Sequence, residues 1–360
     1  AGALGQAGYA PPQGETECLL AGLWAELLRV DRVGRHDNFF TLGGHSLLLI
    51  SLVDRLNQVG MFLEIRDIFN KPVLDEMARA ITREGYESFK PVQHIMPMRL
   101  CKDSHVSLFM IHESTGDITS YRELAHRLAP TISVYGIQPP VKREQPISLR
   151  TLSANYVDVI TRQQKEGPYF IAGWSGGGHI AYEITRQLFK KGKHVSYLAL
   201  IDAVLPGKKD AKKILLSKSD EDVQKEILLR LIHNLNKDGT AKIRNILEDH
   251  GLAEAVLLMK KDGIFLPDID MEFLKVKAEL TRELSAACLS YIPEIIPSLG
   301  KIFLYVGDCT GEADPSHGWA EFLATQLELN IIGGTHTSIL EPGYVELLAD
   351  AMSRDITRQC

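Results

Sequence analysis

The sequence predicts a small all-helical domain followed by a larger α/β domain with a mostly parallel sheet and a helical insertion. Within residues 15–81, apolar residues recur at spacings of three and four, which is typical of amphipathic helices. Beyond residue 104, short apolar runs alternate with helical stretches, and this alternation indicates a parallel sheet covered by helices. The chain has 360 residues, of which 45% are hydrophobic, so it is long enough for two domains with packed cores.

Composition and charge exclude several classes of protein. The net charge of −6 argues against a protein that binds nucleic-acid phosphates, which would need a basic face, so we expect no nucleic-acid partner. No apolar run reaches the roughly 18 residues that a membrane-spanning helix needs, so we expect no membrane insertion. The cysteines are odd in number, far apart and without a CxxC pair, which favours a reducing cytoplasm over a disulfide framework or a zinc site. They are Cys18, Cys101, Cys288, Cys309 and Cys360.

The N-terminal part is predicted to be a linker followed by a helical bundle. Residues 1–14 are rich in Gly, Ala and Pro and show no period. Because the first residue is Ala rather than Met, we expect this chain to be a piece of a longer polypeptide. Helical patterns cover 15–30, a run that begins at Ser46, and 73–81. These patterns predict a bundle over 15–84.

Ser46 is the candidate functional residue of the first domain. Gly43 and Gly44 permit a close backbone approach, and Ser46 stands where the second helix begins, a position in which serine is often only a cap. The wider stretch DNFFTLGGHSL, between ETECLLAGLWAELL and IFNKPVLDEMARAI, resembles the peptidyl carrier (thiolation) domains of nonribosomal peptide synthetases. The sequence departs from this family at Val73, which follows Pro72 where the family usually has Thr. Val has no side-chain oxygen, so it cannot cap the following helix.

The carrier resemblance implies a covalent cofactor. It makes Ser46 the attachment point of a 4′-phosphopantetheine arm, which a phosphopantetheinyl transferase would add. A phosphodiester there would lie at a helix N-terminus, where free N–H groups and the helix dipole favour an anion.

The second domain is predicted to follow an interdomain linker at 85–103 and to cover 104–360. Between about 206 and 285 the sequence shows helical runs and no convincing strand, which predicts a helical insertion. Strands are predicted at six apolar runs, namely 106–111, 132–137, 169–174, 195–202, 301–308 and 327–334.

A candidate nucleophile, Ser175, lies in the sequence GWSGG between a predicted strand and a predicted helix. This GxSxG spacing at a strand-to-helix junction is typical of a nucleophile elbow, in which glycines permit the strained turn. The same stretch also fits a dinucleotide fingerprint, GxGxxA over 176–181, with Asp202 at the end of the next strand. Such a fingerprint would favour reduction with NADPH, although it normally follows the first strand of its domain and at least two strands precede this one.

A general base and its carboxylate partner follow in the order Ser, Asp, His. His336 comes just after the last predicted strand, where it can accept a proton from Ser175. Asp202 and Asp308 both end predicted strands, so chain order alone leaves both candidates open.

The segments GPYFIAGWSGGGHIAYEI, LALIDA and GGTHTSIL are together similar to the type I thioesterases that terminate nonribosomal peptide and polyketide assembly lines. This resemblance covers about residues 101–360 and implies an α/β-hydrolase fold with a lid formed by the insertion. In that family the acid commonly follows the strand after the nucleophile, which favours Asp202 over Asp308.

The resemblance also implies an oxyanion hole formed by backbone N–H groups. Gly176, immediately after the nucleophile, would supply one donor, and the loop IHESTGD, which aligns with the family's His-Pro-x-Gly-Gly, would supply the other at Ser114. Glu113 replaces the usual Pro, which removes a fixed φ and adds a charge near the developing oxyanion. The loop lacks the second His of HExxH, so we expect no metal.

Taken together, the two resemblances imply a carrier–thioesterase pair from a nonribosomal peptide synthetase. Its substrate would be an acyl or peptidyl thioester, released by hydrolysis or macrocyclisation in the biosynthesis of an antibiotic or another secondary metabolite. We expect a monomer that works with upstream adenylation and condensation domains in cis. Two alternatives stay open: an NADPH-dependent reductive release domain, and a hydrolase-fold module that docks the carrier without acylation.

Overall fold

The chain folds as two compact units, Ala1–Pro97 and Met98–Cys360. The structure is a computed structural model that describes residues 9–28, 30–44, 48–49, 52–53, 55–56, 61, 63, 68, 71–81, 94–101, 104–139, 146–206, 218–235, 239–261, 271–297, 299–307 and 314–360. Ser46, Asp308 and Cys309 lie outside the described residues.

The first unit is helical, as predicted. Helix α1 spans Gly14–Leu28 and α2 spans Leu74–Ala80, and residues 48–49, 52–53 and 55–56 are also helical. The ring of Trp24 packs edge-on against Phe39 with centroids 5.0 Å apart, and both side chains are fully buried. Apolar side chains from all three helical regions complete this core, namely Leu20, Leu49, Leu52, Leu56, Leu74 and Met77.

Helix α2 begins without a side-chain cap, as its Val73 predicts. Val73 is extended, with φ −87° and ψ 138°, and makes no capping hydrogen bond. Backbone carbonyls take over this role, because the Leu74 N–H donates to the Asp37 carbonyl at 3.0 Å and the Asp75 N–H to the Arg35 carbonyl at 3.0 Å. The first free N–H groups of the helix are therefore satisfied by the loop after α1.

That loop continues as a tight turn toward Ser46. The Asn38 side chain accepts the Phe40 N–H at 2.9 Å, and the Gly44 N–H donates to the Phe39 carbonyl at 2.8 Å. A side chain on Gly44 would overlap the Phe39 ring and lie 2.6 Å from its carbonyl oxygen. Gly44 is thus required by the close approach of the turn to a buried aromatic residue.

The second unit, with the three residues just before it, contains a mostly parallel sheet, which confirms the predicted fold class. Strand order in the described residues is β1-β3-β2-β4-β5-β6-β7, and the five pairings from β3 through β2 to β7 are all parallel. The strands are β1 Ile95–Arg99, β2 Val106–Ile111, β3 Ile132–Ile137, β4 Tyr169–Trp174, β5 Val195–Ile201, β6 Ile302–Val306 and β7 Leu327–Ile331.

Strand β1 corrects the sequence interpretation, which assigned residues 85–103 to a linker. The strand has five residues and contains Pro97, and only Met96 and Pro97 are buried in it. Proline cannot donate a ladder hydrogen bond, so it is tolerated at a sheet edge, where β1 lies. A short edge strand with a proline has no periodicity that distinguishes it from a linker.

Helices cover the sheet and form the insertion. They are α3 Arg122–Arg127, α4 Leu149–Gln163, α5 Gly176–Lys190, α6 Asp220–Leu235, α7 Gly239–His250, α8 Leu252–Lys261, α9 Met271–Ser290, α10 Trp319–Leu323 and α11 Val345–Arg358. Helices α6 to α9 lie between β5 and β6 and share a small core that includes Ile227, Leu228, Val256 and Leu274. Among the described helices, none has the length and apolarity to cross a membrane.

The strand order positions the functional loops. The chain passes from β2 to β3 on one side and then returns to β4 on the other side of β2. Loops that follow two such strands leave the sheet in opposite directions, and the crevice between them is where open α/β sheets bind ligands. The loop after β2 and the turn after β4 therefore meet at the carboxyl edge of the sheet.

Gly44→Ala should destabilise the first unit, because Phe39 is locked against Trp24 and cannot give way. Overpacking of this kind costs about 1–3 kcal/mol. Amide hydrogen exchange of peptides from α1 and α2 should therefore be faster in the variant.

The matched control for this substitution is Gly22→Ala. A side chain at Gly22 would meet nothing within 4 Å, and alanine favours the helix, so exchange should stay equal or become slower. Unchanged exchange in Gly44→Ala would contradict the described packing of the turn.

Candidate active site

Ser175 lies in a strained turn between β4 and α5. Its backbone has φ +56° and ψ −127°, a conformation that non-glycine residues rarely adopt. The Ser175 N–H donates to the Ile201 carbonyl at 2.9 Å, and its own carbonyl accepts the Gly178 N–H at 3.0 Å. These bonds hold the side chain of Ser175 at the carboxyl edge of the sheet.

The glycines on either side make this turn sterically possible. A side chain on Gly173 would overlap the Gly177 carbonyl. A side chain on Gly177 would lie 2.6 Å from the carbonyl oxygens of both Ile111 and His112, at the end of β2. The start of α5 therefore rests directly on the strand that carries the neighbouring loop.

The structure brings Ser175, His336 and Asp202 into one hydrogen-bonded series. His336 Nε2 lies 3.0 Å from Ser175 Oγ, and His336 Nδ1 lies 2.5 Å from Asp202 Oδ2. With the proton on Nδ1 donated to the carboxylate, Nε2 is available to accept the hydroxyl proton of Ser175.

Asp202 is held as a carboxylate by several donors. Its Oδ1 accepts the Gly307 N–H at 3.0 Å and lies 3.5 Å from His317 Nε2. Burial alone would raise the pKa of Asp202, but the bonds from His317, His336 and Gly307 outweigh it and hold that pKa well below its usual range. The negative charge is therefore retained at neutral pH.

His317 and Trp174 are two site residues that sequence reasoning missed. The Trp174 indole N–H donates to the His336 carbonyl at 3.0 Å, and its ring lies 5.1 Å from the imidazole, tilted by 31°. Trp174 occupies the first variable position of GxSxG, and His317 belongs to the loop before α10, so no motif marks either residue. Trp174 restrains both the backbone and the ring of His336.

The two residues expected to supply the oxyanion donors, Gly176 and Ser114, lie close together. Gly176 is the first residue of α5, so its N–H has no acceptor within the helix. A side chain on Gly176 would overlap Ser114 Oγ and lie 3.3 Å from Cys288 Sγ. The residue after the nucleophile is thus in direct contact with the loop after β2.

His112 anchors the base of that loop and was not singled out from the sequence. The Nδ1–H donates to the Glu113 carbonyl at 2.7 Å, and Nε2 accepts the Tyr156 hydroxyl at 2.7 Å. Burial lowers the pKa of His112 to about 4, so the imidazole is neutral and structural.

Fold and site together define an α/β hydrolase with a serine at its nucleophile elbow. Residues 106–360 match the thioesterase domain family, and residues 18–81 match the phosphopantetheine attachment site family. The chain therefore belongs to the thioesterase domain family, with a phosphopantetheine carrier domain ahead of it. Reductive release is not indicated by these matches.

The relatives of this chain include large synthetases, among them a nonribosomal peptide synthase. The malpibaldin synthetase of Mortierella alpina is 35% identical over 205 residues, which are 56% of this chain and 4% of that protein. A dimodular nonribosomal peptide synthase of Bacillus subtilis is 27% identical over 343 residues, covering 92% of this chain and 14% of that protein. The chain thus spans a small part of the length of these relatives.

One solved structure covers nearly the whole chain. It is a holo four-domain nonribosomal peptide synthetase bound to AMP and glycine, with 26% identity and a TM-score of 0.59. The similarity extends over 98% of this chain and 27% of that one.

The pKa of Asp202 predicts a specific effect on acid stability. Because its folded pKa is below the unfolded value, the carboxylate stabilises the fold above about pH 4 and this contribution is lost as the pH falls. The free energy of unfolding should differ most between wild type and Asp202→Asn near neutral pH. The difference should begin to shrink as the pH falls below about 4 and keep shrinking toward the folded pKa, as measured by urea denaturation from neutral to strongly acidic pH.

Asp158→Asn provides the comparison for this measurement. Asp158 is an exposed residue of α4 whose ion pair with Lys191 lies at the surface, so the substitution should change little at any pH. A difference between wild type and Asp202→Asn that stays constant with pH would refute the described charge state.

Proposed function

We propose that this chain releases an acyl or peptidyl chain from the phosphopantetheine arm of its own carrier domain through a covalent intermediate on Ser175. The observation that carries this proposal is the hydrogen-bonded series of Ser175, His336 and Asp202 on a strained elbow. Its combination with a carrier family match at residues 18–81 supports a substrate delivered as a thioester.

The described turn that precedes Ser46, the arm's proposed attachment point, has an exposed surface. The turn that leads to Ser46 is fixed by Asn38 and Phe39, while Thr41 and Gly43 in that turn are exposed. When bound there, the arm would supply a flexible tether that presents the acyl group as a thioester. Tethering replaces intrinsic affinity with a high effective concentration of substrate.

His336 acts as the general base in the first half of the reaction. Its Nε2 takes the proton of Ser175 as Oγ attacks the thioester carbonyl carbon, and the Asp202 carboxylate stabilises the imidazolium that forms. The carbonyl oxygen becomes an oxyanion that accepts hydrogen bonds from the N–H groups of Gly176 and Ser114.

The same groups complete the reaction. As the carbon–sulfur bond breaks, His336 gives its proton to the departing thiolate and an acyl ester is left on Ser175. His336 then removes a proton from water, or from an amine or hydroxyl of the acyl chain itself. That oxygen or nitrogen attacks the ester, and Ser175 regains its proton as the product leaves as an acid or a macrocycle.

The wider setting of this activity is also part of the proposal. We infer upstream adenylation and condensation domains in cis, a phosphopantetheinyl transferase as modifying enzyme, and a secondary metabolite as product, because the Bacillus subtilis relative is named as a dimodular nonribosomal peptide synthase. A monomer in the cytoplasm remains our expectation. A module that docks the carrier without acylation is the competing hypothesis, which covalent labelling separates.

A fluorophosphonate probe tests the nucleophile. It should label Ser175 in the wild-type chain, because the activated hydroxyl attacks phosphorus with loss of fluoride, and intact mass with peptide mapping should locate one adduct. Ser175→Ala should abolish labelling. Labelling that persists in this variant would overturn the assignment.

The choice of acid is tested in the same assay by matched substitutions. Asp202→Asn should slow labelling by roughly 10³-fold or more, because the imidazole loses its orienting charge, whereas Asp308→Asn should leave the rate near wild type. The reverse result would show that Asp308 is the acid.

Loading of the arm tests Ser46. Treatment with a phosphopantetheinyl transferase and coenzyme A should add the mass of one arm, and Ser46→Ala should prevent the addition. An arm still added to Ser46→Ala would place the attachment on another residue.

A further inference from the structure

Glu113 is a charged residue where the aligned family motif has proline, and it is almost completely buried beside the proposed oxyanion hole. Its side chain is 4% exposed. A buried carboxylate next to a developing negative charge would oppose catalysis unless its own charge is compensated. The contacts of Glu113 show which cation compensates its charge and how its side chain holds the loop.

The Glu113 carboxylate closes the turn that contains Ser114. Its Oε2 accepts the Thr115 N–H at 2.9 Å, and its Oε1 accepts the Thr115 hydroxyl. The Glu113 backbone carbonyl accepts the Gly116 N–H at 2.9 Å, so main chain and side chain both fold the loop over Ser114. The peptide on either side of Ser114 is thereby fixed by Glu113.

The counter-charge comes from the insertion. Arg230 of α6 places Nη1 3.3 Å from Glu113 Oε2, although its side chain is 41% exposed. The guanidinium carbon also lies 5.8 Å from the centre of the Trp174 ring, which packs on His336. One arginine of the insertion therefore contacts both the oxyanion loop and the aromatic support of the general base.

We propose that Glu113 is a positioning residue for the oxyanion loop and that Arg230 makes it compatible with catalysis by pairing its charge. This inference rests on the proposed acylation of Ser175. Glu113 keeps the Ser114 N–H aimed at the oxyanion, and Arg230 cancels a charge that would otherwise repel it. The position of Arg230 in the insertion therefore affects how well the oxyanion hole stabilises the negative charge.

The Glu113–Arg230 pair predicts that a second substitution should restore the labelling rate that the first one lowers. Arg230→Met leaves Glu113 buried without its cation, which is worse than removing both charges. It should lower the limiting rate of Ser175 phosphonylation by a fluorophosphonate about tenfold, with little change in the probe's half-saturation concentration, since loss of one oxyanion interaction has effects of this size or larger. Adding Glu113→Gln, which keeps an oxygen acceptor for Thr115, should restore most of the rate.

The experiment uses the full chain and a matched control. Arg282→Met removes an arginine of α9 that pairs with Asp220 at 2.8 Å within the insertion, and it should label at the wild-type rate. Melting temperatures establish that all variants are folded. Glu113→Gln alone supplies a second folded variant, and it should lie between wild type and Arg230→Met.

The outcomes separate the two proposals. Absence of Ser175 labelling in wild type would reject the proposed function, and this inference with it. If wild type is labelled, a rate for Arg230→Met equal to wild type would overturn the inference alone. A double variant as slow as Arg230→Met, or slower, would also overturn it, because a purely structural arginine predicts no rescue by Glu113→Gln.

Discussion

The absence of a side chain at Gly177 is the constraint on which the rest of the site depends. Any larger residue would collide with the carbonyl oxygens of Ile111 and His112, at 2.6 Å from its Cβ. Because the position is empty, α5 starts directly on the end of β2, and the turn at Ser175 lies beside the loop that carries Ser114. The topological switch of the sheet brings these two connections together, and Gly177 lets them touch.

Burial and hydrogen-bond donors determine which side chains at this edge of the sheet are charged. Asp202 is held ionised by three donors, whereas His112 is held neutral by burial between a carbonyl and a tyrosine hydroxyl. Burial raises the pKa of Glu113 above its usual range, and Arg230 together with Thr115 offsets only part of that rise. A fixed arrangement of this kind needs little reorganisation as charge moves from Ser175 to His336 and onto the carbonyl oxygen.

Local patterns were sufficient to predict much of this architecture. Six apolar runs predict β2 to β7, and helical periodicity predicts α1, α2 and the insertion. Burial on one or both faces requires apolar residues at regular spacings, which the sequence shows. Strand β1 was missed since a five-residue edge strand with Pro97 has no such repeat. The GxSxG motif indicated Ser175 because its glycines are demanded by local backbone geometry.

The remaining site residues depend on contacts that no local pattern encodes. Trp174 meets His336 across 162 positions of sequence, and Arg230 meets Glu113 across 117. His317 approaches Asp202 only because the loop before α10 lies beside the end of β5. Asp202 and Asp308 were equivalent by chain order, and it is the distance from His336 that now supports Asp202.

The most direct test of the account follows one acyl group through the full chain. A phosphopantetheinyl transferase and a radiolabelled acyl-coenzyme A would load the carrier, and rapid quenching with peptide mapping would locate the label over time. The account predicts that label leaves the Ser46 peptide as it appears on the Ser175 peptide, and that Ser175→Ala keeps it on Ser46. Release of the acyl group from Ser175→Ala at the wild-type rate, without any label on residue 175, would contradict it.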